Sequence, residues 1–279
     1  MKGFFKKVML TVTTLALGLT AMLGFTACSK NDTIVVYTEA GFAPVEYIKG
    51  GEIVGVDVDI MNLVGKKLNK KVKFENVSFD IIVDTVSAGK LCNVGAAGIS
   101  VTPERQEKVA FSSEYYTANL YVIYKASEES DYVSDTSDGK KGVYWNSLAG
   151  KKIAVQEGTT ADLFMGDELD EGGTLYGTGA QPVRFGELAV ATEDVKSGNS
   201  DVLIIDELPA QKLVENSPTL KCVPLYYKGG EGEEDEAATD VYAICVTKGK
   251  TELLNAINEV LAELGKEGIE ELVQNHLGV

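Results

Sequence analysis

From Thr33 onward, short β-branched runs alternate with stretches of helical spacing. That alternation confines the chain to mostly parallel sheets covered by helices. Ile34-Val35-Val36-Tyr37 reads as a strand, and Val56 to Leu68 as an amphipathic helix with apolar positions at Ile60, Leu63, Val64 and Leu68. Val72 to Val77 reads as a strand, Ile81 to Ser87 as a helix, and Val94 to Ile99 as a small-residue strand. The pattern resumes with Ile153-Ala154-Val155, a helix after Thr160, Val183-Arg184-Phe185, a helix from Leu188 to Lys196, and the strand Val202 to Ile205. Two helical stretches, about 251–264 and 267–277, close the chain. Residues 127–146, which end in a Lys140-Lys141-Gly142 turn, and the acid-rich 229–240 interrupt the alternation and read as solvated loops. The acidic stretch lacks the alternating Asp spacing of a calcium loop.

A weak internal echo divides this material in two. Phe79-Asp80 leads a helix ending Ser87-Ala88-Gly89-Lys90, and the next strand ends near Gly98. Phe185-Gly186-Glu187 leads a helix ending Lys196-Ser197-Gly198-Asn199, and the next strand ends at Asp206. Two α/β lobes of similar build produce such an echo. Ligands of these sheets bind outside the carboxyl ends of the strands, so chemistry is to be sought there.

The start of the chain is an address. Lys2, Lys6 and Lys7 precede an apolar run from about Val8 to Phe25, too short and too diluted with Thr and Gly for a bilayer span. Residues 1–27 read as an export signal. The remaining 28–32 form a linker beginning at Cys28. Removing the signal deletes basic residues and no acids from a chain that already carries 42 Asp+Glu against 26 Lys+Arg. So acidic a chain does not neutralise nucleic-acid phosphates or bind an anionic membrane surface through charge. A single histidine and scattered cysteines provide no zinc spacing, and neither a metal nor a cofactor is expected. Of the later cysteines Cys92, Cys222 and Cys245, the last lies in an apolar run as a buried thiol would, and no essential disulfide is expected.

The strand ends carry the candidate chemistry. Thr102 is a good helix N-cap and Pro103 a good first helical residue, so the free amides of this start, with Ser100 nearby, can receive an anion. Arg105 lies on the first turn. The chain's only other arginine is Arg184, and an arginine amid so much lysine suggests a wanted planar fork, as in carboxylate recognition. A surface ion pair with Glu104 or Glu107 is the plain alternative. Gln156-Glu157-Gly158-Thr159-Thr160 opens a second helix after a strand. Asp206 ends an apolar strand, where its charge needs a partner such as a ligand ammonium, or serves to cap the following helix. Glu39 exits the first strand. Phe42 and Phe79 each follow a strand as aromatic walls or as core.

Together, GFAPVEY (41–47), GVDVDIMNLVGKKL (55–68), SFDII (78–82), AAGISVTPER (96–105), AFSSEYY (110–116), GKKIAVQEGTTAD (150–162) and DVLIIDELPA (201–210) resemble the polar amino-acid solute-binding proteins of ABC importers. Phe25-Thr26-Ala27-Cys28 likewise resembles the lipobox of bacterial lipoproteins, with Phe25 where Leu is usual, which implies lipid attachment at Cys28. The first resemblance implies the type II periplasmic-binding-protein fold. Lobe one would comprise 33–119 and 241–279, and lobe two 120–240, with crossings near 118–122 and 236–243. It also implies roles. Arg105 grips a ligand α-carboxylate with help from Ser100 and the amides around Thr159 and Thr160. Asp206 takes the α-ammonium with the carbonyl of Gly98, beside Ala97. Phe42 and Phe79 sandwich the ligand side chain, and Glu39 and Gln156 set its selectivity, with Glu39 favouring a cationic or amide group. Val45 replaces a usual aromatic, Asn93 stands near a usual Asp, and both interrupting loops exceed the family's usual length.

The expected function is that of a monomeric receptor, anchored only by its lipid to the outer face of the cytoplasmic membrane. It binds a free L-amino acid and delivers it to the permease and ATPase subunits of an importer. Two other readings share the fold. One is a dehydratase acting on a small carboxylate with Glu39 or Asp206 as general acid. The other is an amino-acid sensor or adhesin.

Overall fold

In the computed structural model the described residues are 32–215 and 217–278; the signal segment and Cys28 lie outside them. The helix Val56–Leu68 shows why these residues adopt their elements. Asp57 and Asp59 sit in its first turn and Lys66 and Lys67 in its last, matching the helix dipole, and Asn69 ends it in the left-handed conformation at φ 52°. One face buries Val56, Ile60, Met61 and Val64 against the closing helix Thr251–Leu277, through Ile257, Val260 and Leu261.

Two mixed sheets organise the chain. The first runs Lys71–Asn76, Thr33–Thr38, Val94–Gly95, Cys245–Val246, Ala110–Phe111. Its first three strands are parallel and Cys245–Val246 is antiparallel to both neighbours. The second is built on the parallel set Gln181–Phe185, Lys152–Gln156, Val202–Asp206, followed by the antiparallel ten-residue strand Tyr116–Lys125, and then by Leu220–Tyr227, Lys141–Tyr144 and Val133–Asp135. Tyr116–Asn119 also pairs antiparallel with Thr239–Tyr242, so two neighbouring strands run between the sheets.

Several expectations are corrected. The sheets are mixed rather than mostly parallel, because the long strand entering the second sheet runs antiparallel to Val202–Asp206. The strand after Lys90 spans only Val94–Gly95, because Gly98 turns at φ 54° and donates its N–H to the Asp57 carboxylate instead of to a neighbouring strand. Residues 127–146 are not a loop. They hold the helix Glu129–Tyr132, the hairpin Val133–Asp135/Lys141–Tyr144 and the start of a 3-10 turn, and they bury Tyr132, Val143 and Trp145. The turn expected at Lys140-Lys141-Gly142 falls earlier, since Lys141 and Gly142 already belong to the strand. The acidic stretch is solvated only in part, since it ends in the strands Glu236–Ala237 and Thr239–Tyr242 with Asp240 buried. The two closing helical stretches, by contrast, are as expected: Thr251–Leu277 is two helices that meet at Gly265, whose φ 58° and ψ −173° are not helical. Cys92, Cys222 and Cys245 are free thiols.

Candidate functional site

The carboxyl ends of Thr33–Thr38, Val94–Gly95, Lys152–Gln156 and Val202–Asp206 converge with the strand Thr239–Tyr242. Arg105 is positioned first by its own helix. Thr102 caps that helix, its hydroxyl accepting the Arg105 N–H at 3.2 Å, and Pro103 starts it. Arg105 is 7% exposed. Its Nη1 donates to the Ser100 carbonyl at 2.8 Å and its Nη2 to the Gly158 carbonyl at 2.9 Å, while its carbon lies 5.6 Å from the centroid of the half-buried Phe79 ring. Among the described residues Arg105 makes no ion pair, and it is buried rather than at the surface. It bridges the helix start of one half to the turn that opens the helix Thr160–Leu169 of the other.

That turn is held locally. Thr159 caps the helix, its hydroxyl donating to the Gln156 carbonyl at 2.8 Å and accepting from the Asp162 N–H at 3.4 Å. Its polar atoms are thus committed to the turn, whereas the Thr160 hydroxyl faces across the cleft. Ser100 Oγ and Thr160 Oγ1 lie 3.2 Å apart, and both hydroxyls donate to the same Oδ2 of Asp240.

Asp206 ends its strand buried, 7% exposed, and among the described residues its Oδ1 makes no well-aligned hydrogen bond, with the equally unpartnered Tyr242 hydroxyl nearby. Burial, then the negative charge of Asp240, pushes its pKa up to about 8, against the pull of the Tyr242 hydroxyl and Arg105. The Tyr242 ring packs on Phe42 edge-on, with centroids 6.4 Å apart. Phe42 in turn closes on Gly98. At that glycine's positive φ a side chain is strained, and an added Cβ would stand 3.2 Å from the Phe42 ring. Ala97 beside it is buried. Glu39 is buried near Gln156; burial raises its pKa, and hydrogen bonds from the Gln156 side chain and the Gly41 backbone offset part of that rise. Gln156 Nε2 also donates to the Gly186 carbonyl at 3.3 Å.

The structure thus joins Ser100 and Thr160 through Asp240, sets Asp206 within reach of the charges of Asp240 and Arg105, and places Phe79 against the guanidinium, Phe42 against Tyr242 and Glu39 beside Gln156. Residues missed from the sequence support it. Asp57 accepts from the Gly98 N–H at 3.1 Å and from the Tyr115 hydroxyl, and burial raises its pKa to about 6. Glu46 is fully buried, and among the described residues neither carboxyl oxygen has a partner. Asp240 was hidden in the acidic run, and its only sequence signal was the apolar Val241–Val246 that follows it directly. Among the described residues no cluster of three or more His, Cys, Asp or Glu is placed to hold a metal ion. No described helix is long and apolar enough to cross a membrane.

Residues 34–279 match the model of the bacterial extracellular solute-binding proteins, family 3. The chain belongs to that family. The putative ABC transporter arginine-binding protein 2 of Escherichia coli (strain K12) is 28% identical to this solute-binding protein over 88% of the chain and 90% of its own length. The histidine-binding periplasmic protein of the same organism is 26% identical over 95% and 94%. Among solved structures, the amino acid ABC transporter substrate-binding protein AbpA from Streptococcus pneumoniae, bound to L-arginine, superposes with a TM-score of 0.74 at 26% identity, covering 88% of this chain and 95% of that one. An ancestral arginine-binding protein bound to arginine superposes at 0.73 with 28% identity, covering 88% and 99%. The two-lobed α/β fold of this solute-binding protein is that of type II periplasmic-binding proteins.

Proposed function

We propose that this chain is the extracytoplasmic receptor of an amino-acid ABC importer, closing on a free L-amino acid and passing it to a membrane permease driven by an ATPase. The observation that carries the reading is the Oδ1 of buried Asp206, unpartnered among the described residues and within reach of the charge of the Arg105 fork. A carboxylate taken out of water costs several kcal/mol unless a cation joins it, and an α-ammonium is such a cation. Arg105 and the helix-start amides near Thr160 receive the α-carboxylate, and the Gly98 carbonyl assists Asp206. Residues 33–119 and 241–279 act as one lobe and 120–240 as the other. Only the closed arrangement pairs both ends of the ligand, so ligand shifts the lobes toward closure.

Glu39, with Gln156 beside it, selects a cationic or amide side chain, because a second acid facing buried Glu39 would be repelled. Relatives named for arginine and histidine support the cationic choice. Cys28 carries a lipid that holds the monomeric receptor at the outer face of the cytoplasmic membrane after residues 1–27 are removed. Titration calorimetry with the twenty L-amino acids tests the site. Binding confined to cationic and amide ligands is expected, and a preference for glutamate would overturn the selectivity. Mass spectrometry of the membrane fraction tests the anchor, with a lipid-modified Cys28 at the mature N-terminus expected.

A further inference from the structure

The carboxylate end of the cleft already contains a carboxylate. Asp240, 7% exposed, sits on one of the two strands that run between the sheets, and its Oδ1 accepts the Val241 N–H at 2.6 Å. Its Oδ2 receives the hydroxyl protons of both Ser100 and Thr160. A hydroxyl has one proton to give. With both given to Asp240, neither side chain retains a proton for a ligand carboxylate, and each presents lone pairs to the cleft. The Arg105 fork is likewise provided for by the Ser100 and Gly158 carbonyls, and Asp240, without touching it, is the acid whose charge supports it most. The protein thus supplies from its own chain much of what an α-carboxylate would bring: an anion beside Arg105 and an acceptor for two hydroxyls.

We propose that Asp240 is a specificity-determining residue that relaxes the demand for a ligand carboxylate, so that the receptor also takes up amines with the same cationic side chain but no α-carboxylate. Such ligands keep the ammonium for Asp206 and the side-chain charge for Glu39. This deepens the amino-acid reading and rests on it.

The test is calorimetry on the exported chain with two probe pairs: L-arginine against (4-aminobutyl)guanidine, and L-lysine against 1,5-diaminopentane. A site built around a group rejects the analogue lacking it by about 10⁴-fold, whereas here the amine of at least one pair is expected to lose less than about thirtyfold. A larger loss in both pairs ends this inference and leaves the amino-acid reading intact; binding of no probe and no amino acid ends both. Asp240→Asn removes the internal anion and releases hydroxyl protons, so it should widen the preference for the amino acid at least about tenfold, the worth of one hydrogen bond to a charged group. Equal weakening of both members of a pair, the mark of a merely structural role, overturns the assignment. Ser100→Ala provides a second reading if the Asn variant folds poorly. With its proton committed to Asp240, loss of the Ser100 hydroxyl should change both members of a pair by the same factor, and a loss confined to the amino acid would refute the proposal.

Discussion

Arg105 Nη2 lies 2.9 Å from the carbonyl oxygen of Gly158, a hydrogen bond between residues 53 positions apart that joins the two halves of the molecule. Asp80 of the first half also packs close to Gly158, since a Cβ added there would stand 3.2 Å from the Asp80 Cα. The same guanidinium thus holds the Ser100 carbonyl on its own side and the Gly158 carbonyl on the other.

Arg105→Ala removes that bridge and the counter-charge of Asp240 together. Amino-acid affinity should fall at least about 100-fold, since each hydrogen bond to a charged group is worth roughly 1.5–3 kcal/mol. Circular dichroism should show an intact fold. Arg105→Lys should also weaken binding, because a point charge cannot reach two carbonyls in the planar fork geometry. Retained affinity by calorimetry contradicts the site.

If Asp206 takes the ligand ammonium, binding should release protons. With its pKa raised to about 8 in the free protein, its carboxyl is mostly protonated at pH 7 and must ionise to pair with an ammonium. Affinity should rise about tenfold per pH unit from pH 6 toward 8 and then level off. Calorimetry in buffers of different ionisation enthalpy should count up to about one proton released per ligand at pH 7.

The same burial shapes stability. Asp57, Asp206 and Glu46 all have folded pKa values above their unfolded ones, about 6 and about 8 for the first two, with Glu46 displaced well upward by burial and then by the charge of Asp57. Their carboxyls therefore favour the folded state fully only below the unfolded carboxylate pKa of about 4, and that contribution is lost as pH rises through the folded values. The midpoint of thermal unfolding should fall from pH 5 to pH 8. Glu46→Gln, which keeps the shape without an ionisable proton, should flatten that fall; an unchanged slope would show that Glu46 has no part in it.

Gly98→Ala tests the aromatic wall. A side chain at φ 54° costs on the order of 1 kcal/mol, and its Cβ would press the Phe42 ring. Affinity should drop about tenfold or more, since a small misplacement at a binding site is costly, while unfolding shifts by only a few degrees. Affinity equal to that of the unchanged protein would show that the wall tolerates displacement.

The closing helix has its own clasp. His276 Nε2 lies 2.9 Å from Asp59 Oδ2, and Nδ1 lies 3.2 Å from the Tyr47 hydroxyl. Beyond the break at Gly265, this clasp and the Lys212 contact with the Leu277 carbonyl hold the last turns. His276→Ala should speed amide exchange across residues 266–277 while leaving Val56–Leu68 protected. Unaltered exchange there would mean that apolar packing alone holds the segment.

Local chemistry settled much of this protein in advance. The alternation of periods specified the helices Val56–Leu68 and Leu188–Ser197 and the strand Val202–Asp206 to within a residue or two, because apolar spacing registers directly which face is buried. Thr102-Pro103 specified a helix start, because capping is a contact between near neighbours. What sequence could not decide were relations across long separations. Asp240 lies in an acid-rich run whose composition calls for water, yet pairing of Thr239–Tyr242 with Tyr116–Asn119 draws it inside, 140 positions from the Ser100 it bonds. The hairpin at 133–144 took its place from an edge of the second sheet, where a partner strand mattered more than polar composition. Burial and pairing belong to the assembled sheets, so the charges of Glu46, Asp57 and Asp240 could be read as solvated or structural only once the tertiary fold had chosen their neighbours.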